Sequence, residues 1–119
     1  MLESGEMYIE TIYLLKGQKD KVHAIDVANE LGYAKSSVSR ALNILKGKEI
    51  IAIASNGEID LTDKGLSIAQ EIYERHKILT DFLLSLGLPK DVAENDACRI
   101  EHVISNETLN AIKNTLNKK

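Results

Sequence analysis

The chain has 119 residues, a formal net charge of −3, one cysteine, one phenylalanine and no tryptophan. This length favours a single compact unit with two subdomains, whose core is built from aliphatic side chains. The lone Cys98 excludes an internal disulfide, and because neither a signal peptide nor an apolar run of membrane-spanning length is visible, we expect a cytoplasmic protein with no membrane partner.

The first part of the chain predicts three helices. Apolar residues at helical spacing predict a first helix over residues 5–16, which Gly17 would end. A short amphipathic helix is predicted over residues 23–32. Ser36 or Ser37 can cap a third helix, whose apolar residues recur three to four positions apart. The second and third helices together have the outline of a helix-turn-helix.

A β-hairpin is predicted directly after the third helix. Weakly alternating apolar residues flank Asn56-Gly57, which is the strongest short-range signal for a two-residue hairpin loop. A helix-turn-helix followed by a hairpin is a winged helix. The sequence therefore predicts a winged helix-turn-helix DNA-binding domain over residues 1–64.

Three further helices are predicted after the hairpin. Thr62 would cap a helix of about 22 residues, which is longer than a small winged domain needs. Two more helices follow, from about Pro89 and from a Ser105 cap. We therefore expect a mainly α protein with a helical metal-binding and dimerisation domain over residues 65–119. Phe82, Leu83 and Leu86 at the end of the long helix favour a dimer.

The polar face of the third helix carries residue types that bind DNA. Arginine can bond guanine in bidentate fashion and asparagine can bond adenine, while serine and lysine contact phosphates. Residues 21–54 have five Lys or Arg against three acids, although the whole chain is acidic. Serines and lysines on a helix are equally consistent with simple solvation. The candidate DNA-binding residues are Lys35, Ser36, Ser37, Ser39, Arg40, Asn43, Lys46, Lys48 and Asn56.

The segment DACRIEH, residues 96–102, combines a thiol, a carboxylate and an imidazole. On one helix, Cys98, Glu101 and His102 would project within an arc of roughly 100°. Sulfur, oxygen and nitrogen together suit divalent iron, cobalt, nickel or zinc, and a complete site would recruit a further ligand from elsewhere. Alternatively, Cys98 packs as a small hydrophobe, Glu101 is a solvated acid and His102 is partly buried. No catalytic motif is visible, so we expect no enzyme activity.

Five segments together resemble the diphtheria-toxin-repressor family of metal-activated transcriptional repressors. They are EMYIETIYLL, VANELGYAKSSVSRALNILKGKEII, LTDKG, ERHKILTDFLLSLGL and DACRIEHVISNE, and they extend over essentially the whole chain. The resemblance implies a homodimer that binds a palindromic double-stranded DNA operator and controls metal-homeostasis genes. The iron-responsive branch has an additional C-terminal SH3-like domain, and this sequence is expected to be a short form without it.

The family's activating metal site maps onto Met7, Cys98, Glu101 and His102. Without the resemblance, Met7 would be assigned to core packing. The iron-responsive branch has Met and Cys at the positions of Met7 and Cys98, whereas the manganese-responsive branch typically has Asp and Glu there. Because manganese prefers oxygen and nitrogen ligands, sulfur at both positions favours Fe2+, with Mn2+ as the second candidate.

Glu10 departs from the iron-type pattern. A Glu at this position belongs to the two-metal site of the manganese branch, together with the residue matching His76. The ancillary site of the iron branch has an acid and a second His at the positions of Thr80 and Glu94. Thr80 is a poor substitute for an acid. The resemblance thus predicts a second ion held by His76 with Glu10 or Glu94, and a satisfied core histidine is the alternative.

Two other functions remain compatible with the residues. A metal-independent winged-helix regulator could sense an oxidant through Cys98, because a neighbouring histidine can lower the pKa of a thiol, or it could sense a small molecule. A purely protein-binding winged helix is less favoured, because the third helix carries Arg40 and a serine cluster.

Overall fold

The computed structural model describes the backbone of residues 3–118 and the side chains of residues 5–118. Within that range it contains six helices and one two-stranded sheet. They are α1 (Glu3–Gln18), α2 (Ala24–Leu31), α3 (Lys35–Gly47), β1 (Ile51–Ile53), β2 (Ile59–Leu61), α4 (Asp63–Ser85), α5 (Lys90–Ile100) and α6 (Asn106–Asn117). The chain divides into two compact units, over residues 1–70 and 71–119. None of the described helices has the length and apolar character needed to cross a bilayer.

The first unit is a winged helix built around one aliphatic core. Tyr8, Ile9, Ile12 and Leu15 form the buried stripe of α1. This stripe joins one cluster with buried side chains of α2, α3 and both strands. Full burial of one such side chain contributes roughly 1.5–3 kcal/mol. The core therefore fixes the position of the helix-turn-helix.

Local hydrogen bonds set the start and end of α2. The backbone N–H of His23 donates to Asp26 Oδ2 at 2.8 Å, and Lys19 Nζ donates to Asp26 Oδ1 at 2.6 Å. The bond from Lys19, and then the bond from the His23 backbone, lower the pKa of Asp26. The helix ends at Gly32, which has a φ of 70° and donates to Ala28 O. Only glycine adopts this left-handed cap at little cost.

Two local predictions for the helices of the first unit were wrong. Helix α1 continues through Gly17 to Gln18, because a glycine weakens a helix without ending it. Helix α3 begins at Lys35 with Ala34 as its N-cap, so Ser36 and Ser37 lie in its first turn. Packing of the buried α3 face fixes this start, and the serines are left exposed.

The hairpin loop also differs from the prediction. The backbone N–H of Ala54 bonds Glu58 O at 2.9 Å and that of Gly57 bonds Ala54 O at 2.9 Å, so the loop has three residues, 55–57, where two were predicted. Gly57 has a φ of 89°, as the left-handed position of a three-residue hairpin requires. The Asn56 side chain accepts from Glu58 N at 3.1 Å, which stabilises this longer loop.

A close backbone approach joins the wing to the start of α4. Thr62 Oγ1 accepts from the Gly65 N–H at 3.1 Å, which confirms Thr62 as the cap. The same hydroxyl lies 2.9 Å from Ile50 O, to which it donates. A Cβ atom at Gly65 would overlap the Ile50 carbonyl oxygen. Glycine is therefore required at this buried position.

The second unit consists of the later part of α4 with α5 and α6. Its buried apolar residues are Ile72, Leu79, Ala93 and Ala97. The predicted Ser105 cap of α6 is confirmed, since Ser105 Oγ accepts from Thr108 N at 3.1 Å. No residue of α6 within the described range is buried. Large apolar side chains of this unit are exposed at Tyr73, Leu84, Leu86, Val92 and Val103.

Candidate metal centre and nucleic-acid interface

Three of the predicted metal ligands converge at the end of α5. The helix ends at Ile100, so the prediction that one helix carries Cys98, Glu101 and His102 was wrong. Glu101 is the C-cap residue with helical dihedral angles, and His102 lies in the following turn. The donor atoms of the three side chains nevertheless lie within 4.8 Å of one another. The turn after α5 thus still brings the three side chains together, as a continuing helix would.

Glu101 and His102 in this cluster are buried, whereas an ordinary acid on the surface is exposed. The side chain of Glu101 is 0% exposed and that of His102 is 4% exposed. The alternative in which Glu101 is a solvated acid was therefore wrong. An ionised carboxylate is buried only at a large cost unless a positive charge or hydrogen bonds compensate it.

The two oxygens of the Glu101 carboxylate have different surroundings. Oε2 lies 2.9 Å from His76 Nδ1. Oε1 is buried and accepts no hydrogen bond within the described part of the chain, although His102 Nε2 lies 3.3 Å away. Glu101 Oε1 and His102 Nε2 thus lie close together without the geometry of a hydrogen bond. Two ligands of the same cation would be arranged in this way. The residues present therefore fit a divalent transition metal with sulfur, oxygen and nitrogen donors.

His76 is linked to the same carboxylate from α4. His76 Nδ1 and Glu101 Oε2 form a hydrogen bond across 2.9 Å, in which Nδ1–H is the donor when the carboxylate is ionised, because an ionised carboxylate only accepts. This bond raises the pKa of His76, while partial burial opposes the shift. Glu94 adds a weaker charge effect in the same direction as the bond. No sequence signal links His76 and Glu101, because 25 residues separate them.

Arg75, which precedes His76, also contacts Glu101. Its Nη1 donates to the Glu101 carbonyl oxygen at 3.2 Å, and its Nη2 donates to Asn106 Oδ1 at 3.3 Å. The last carbonyl groups of a helix lack partners within it, and a cation is favourable there. The sequence interpretation gave Arg75 no role.

The other predicted metal ligands have varied surroundings. In α1, Met7 is half-buried and Sδ accepts from the Tyr33 hydroxyl at 3.4 Å, while Glu10 is buried. Glu94 is exposed, with Lys90 Nζ 4.0 Å away. Thr80, which was not predicted to be a ligand, has a buried hydroxyl with no hydrogen-bond partner among the described residues.

The third helix separates its apolar and polar faces. Val38, Leu42 and Leu45 are buried in the core. The predicted DNA-binding residues are all exposed, and they are Lys35, Ser36, Ser37, Ser39, Arg40, Asn43, Lys46, Lys48 and, in the wing, Asn56. The Asn56 amide is already bonded to Glu58 Oε1 at 2.9 Å. Helix α3 can therefore present base-reading side chains while its other face remains in the core.

Two family models match the chain. Residues 1–55 match the iron dependent repressor N-terminal DNA-binding domain, and residues 62–119 match the iron dependent repressor metal binding and dimerisation domain. The transcriptional regulator MntR of Escherichia coli O157:H7 is 35% identical over 106 residues, which are 89% of this chain and 68% of that protein. The iron-dependent repressor IdeR of Mycobacterium tuberculosis is 26% identical over 118 residues, covering 98% of this chain and 51% of IdeR.

A solved structure supports the same assignment. It is a manganese-dependent transcriptional repressor in complex with manganese, with a TM-score of 0.87 and 26% sequence identity. The match covers 95% of this chain and 52% of that one, so the chain spans about half the length of the solved relative. The two family models thus match the winged-helix part and the helical second part of the chain in sequence order. Together with the identity to MntR, this shows that the chain belongs to the diphtheria-toxin-repressor family of metal-dependent transcriptional repressors.

Proposed function

We propose that this chain is a DNA-binding repressor activated by divalent iron, and that Met7, Cys98, Glu101 and His102 are the ligands of the activating ion. Residues 1–64 would bind DNA, and residues 65–119 would hold the metal and the dimer interface. The observation that carries the proposal is the convergence of Cys98, Glu101 and His102 donor atoms within 4.8 Å, with Glu101 fully buried.

The donor set supports iron over manganese. Cys98 contributes a soft sulfur ligand, and Met7 would contribute a second, whereas manganese prefers oxygen and nitrogen. Relatives of both kinds exist, since one is an iron-dependent repressor and a solved one is manganese-dependent. A second ion at His76 with Glu10 or Glu94 is a separate prediction, which metal stoichiometry tests.

Activation follows because metal binding is linked to the equilibrium between the inactive form and the DNA-competent form. Divalent iron would supply positive charge to the thiolate and carboxylate. The DNA-competent form gains stability only to the extent that it holds the ion more tightly than the inactive form does. Because Met7 belongs to α1 and the other ligands follow α4, shared ligation would restrict the motion of these segments.

DNA recognition is proposed for the exposed face of α3. Arg40 and Asn43 would read base edges, and Lys46 would contact phosphates together with Lys48, which follows the helix. The exposed apolar side chains of the second unit, together with an α6 that has no buried residue, support burial against a second copy. A two-fold dimer would present two α3 helices to a palindromic operator.

The test is DNA binding measured anaerobically with and without ferrous ion. Operator DNA is first selected from random duplexes in the presence of iron. Wild type should bind this DNA about 10- to 100-fold more tightly with iron than without it, which corresponds to a coupling free energy of roughly 1–3 kcal/mol. Met7→Ala should lose most of this gain and keep the metal-free affinity. Leu14→Ala, on the exposed face of the same helix, is the matched control and should respond to iron as wild type does. Equal DNA affinity with and without metal would contradict the proposal and favour a metal-independent regulator.

The preference for iron over manganese gives a second prediction. Cys98→Glu replaces the sulfur ligand by a carboxylate, so the ratio of iron to manganese affinity should fall by about tenfold or more. The measurement is competition of the two ions against a fluorescent chelator, with DNA binding as a parallel readout. Cys98→Ser, which removes sulfur without adding charge, is the control and should weaken both ions. An unchanged ratio in Cys98→Glu would show that sulfur does not set the preference.

A further inference from the structure

The turn between α2 and α3 places one aromatic residue, Tyr33, against α1. The Tyr33 hydroxyl donates to Met7 Sδ at 3.4 Å. The ring of Tyr33 meets that of Tyr8 edge-on, with 6.2 Å between the ring centroids and 62° between the ring planes. Tyr33 therefore contacts two consecutive residues of α1, of which Tyr8 is buried in the core and Met7 is half-buried.

The backbone of Tyr33 is held by the end of α2. Gly32 turns the chain in the left-handed conformation, and the N–H groups of Gly32 and Tyr33 both donate to Ala28 O, at 2.8 and 3.2 Å. The next residue, Ala34, is the N-cap of α3. The hydroxyl that bonds Met7 thus belongs to an anchored part of the helix-turn-helix.

The bond from Tyr33 restricts a side chain that is otherwise flexible. Methionine has three rotatable bonds, and ordering it on ligation costs conformational entropy. A thioether sulfur has two lone pairs, so Met7 Sδ can accept from Tyr33 through one and bind a cation through the other. Because this sulfur is a weak acceptor, the bond should strengthen metal binding by about two- to tenfold, as a single neutral hydrogen bond does.

We propose that Tyr33 is a positioning residue of the activating metal site: its hydroxyl holds the Met7 thioether in place for ligation, so that the helix-turn-helix itself supports the ligand from α1. The inference rests on the proposed function, in which Met7 is a ligand. It extends that function to a residue that does not touch the ion. Tyr33 would thereby help to set the iron concentration at which the protein binds its operator.

A double-mutant cycle tests whether the hydroxyl acts through the sulfur. Tyr33→Phe removes the hydroxyl and keeps the ring that packs on Tyr8, and because Tyr33 is 45% exposed, the metal-free melting temperature should be unchanged. Met7→Leu removes the sulfur at nearly constant volume. The two changes are made singly and together, and Co2+ is titrated anaerobically into each full chain with absorbance as the readout. Thr115→Val, which removes another exposed hydroxyl donor, is the matched control.

Positioning through Met7 predicts a loss that depends on the sulfur. Tyr33→Phe should weaken Co2+ binding by about two- to tenfold, and Met7→Leu should weaken it more strongly. In the Met7→Leu background, Tyr33→Phe should have no further effect, because the hydroxyl then has no sulfur to hold. Thr115→Val should bind Co2+ as wild type does.

Two results of the cycle would contradict the inference and leave the proposed function standing. They are an unchanged Co2+ affinity in Tyr33→Phe, and an equal loss of affinity on removal of the hydroxyl in both backgrounds. Wild-type affinity in Met7→Leu would instead reject Met7 as a ligand, and with it both the proposed ligand set and the inference.

DNA binding separates this role from direct contact of Tyr33 with a phosphate group. When operator binding is titrated with ferrous ion, Tyr33→Phe should need about two- to tenfold more iron than wild type for half-maximal binding. The DNA affinities without metal and at saturating metal should not change. An equal loss of DNA affinity with and without metal would show that the hydroxyl contacts DNA, and would overturn the inference.

Discussion

Glu101→Gln is expected to abolish stabilisation by metal while leaving the metal-free fold intact. The amide keeps the shape of the side chain and can accept from His76, but it has no charge to offer a cation. Because the amide keeps the volume of the side chain and an oxygen that can accept from His76, the metal-free melting temperature should stay close to that of wild type. The affinity for Co2+ or Fe2+ should fall by more than about 100-fold, beyond the effect of losing a supporting hydrogen bond.

The measurement is thermal unfolding with and without metal. At a metal concentration of about 100 times Kd, wild type should gain roughly 2.7 kcal/mol, and Glu101→Gln should gain almost none. Glu107→Gln makes the same chemical change at an exposed acid of α6 and should behave like wild type. If Glu101→Gln keeps the full metal-induced shift, Glu101 is not a ligand, and its burial needs another explanation.

Gly65→Ala should strongly destabilise the first unit. A Cβ at this position would overlap the carbonyl oxygen of Ile50, which is backbone and is itself held by Thr62. Relief would require α4 and the start of β1 to separate, so we expect a loss of about 3 kcal/mol. DNA binding should fall as the folded fraction of the protein falls, even at saturating metal.

Gly47→Ala is the matched control for this prediction. Gly47 lies in α3, and a Cβ there would have no neighbour within 4 Å. It should be neutral or stabilise by up to about 1 kcal/mol, since alanine restricts the unfolded chain. Urea unfolding of both variants at fixed protein concentration gives the comparison. Equal stability of Gly65→Ala and wild type would show that the wing can shift away from α4.

The winged helix could be predicted because its signals are local. Helical periodicity, the glycine at the end of α2 and the Asn56-Gly57 turn each act over a few residues. The errors have the same origin. Ser36 was a plausible cap, and a two-residue loop was plausible at Asn56, but local alternatives that are close in energy are decided by packing and by side-chain bonds that a linear pattern does not reveal.

The candidate metal ligands could be predicted to a different extent. Cys98, Glu101 and His102 could be proposed together because a spacing of three and four places side chains on one face, and the family resemblance made the choice specific. The three side chains lie together although α5 ends at Ile100, since Glu101 keeps helical dihedral angles. Met7 came from the resemblance alone, and its ligation stays a prediction.

By itself, the sequence determined the order of the elements, the polar face of α3 and the donor types at the candidate metal centre. Only the tertiary structure decided that Glu101 is fully buried, that His76 and Arg75 hold it, and that Gly65 lies against Ile50. The physical reason is the separation along the chain over which each kind of interaction acts. Periodicity and capping depend on neighbours within about one helical turn, whereas the partners of Glu101 lie 25 and 26 residues away. Such contacts exist only once the helices have packed.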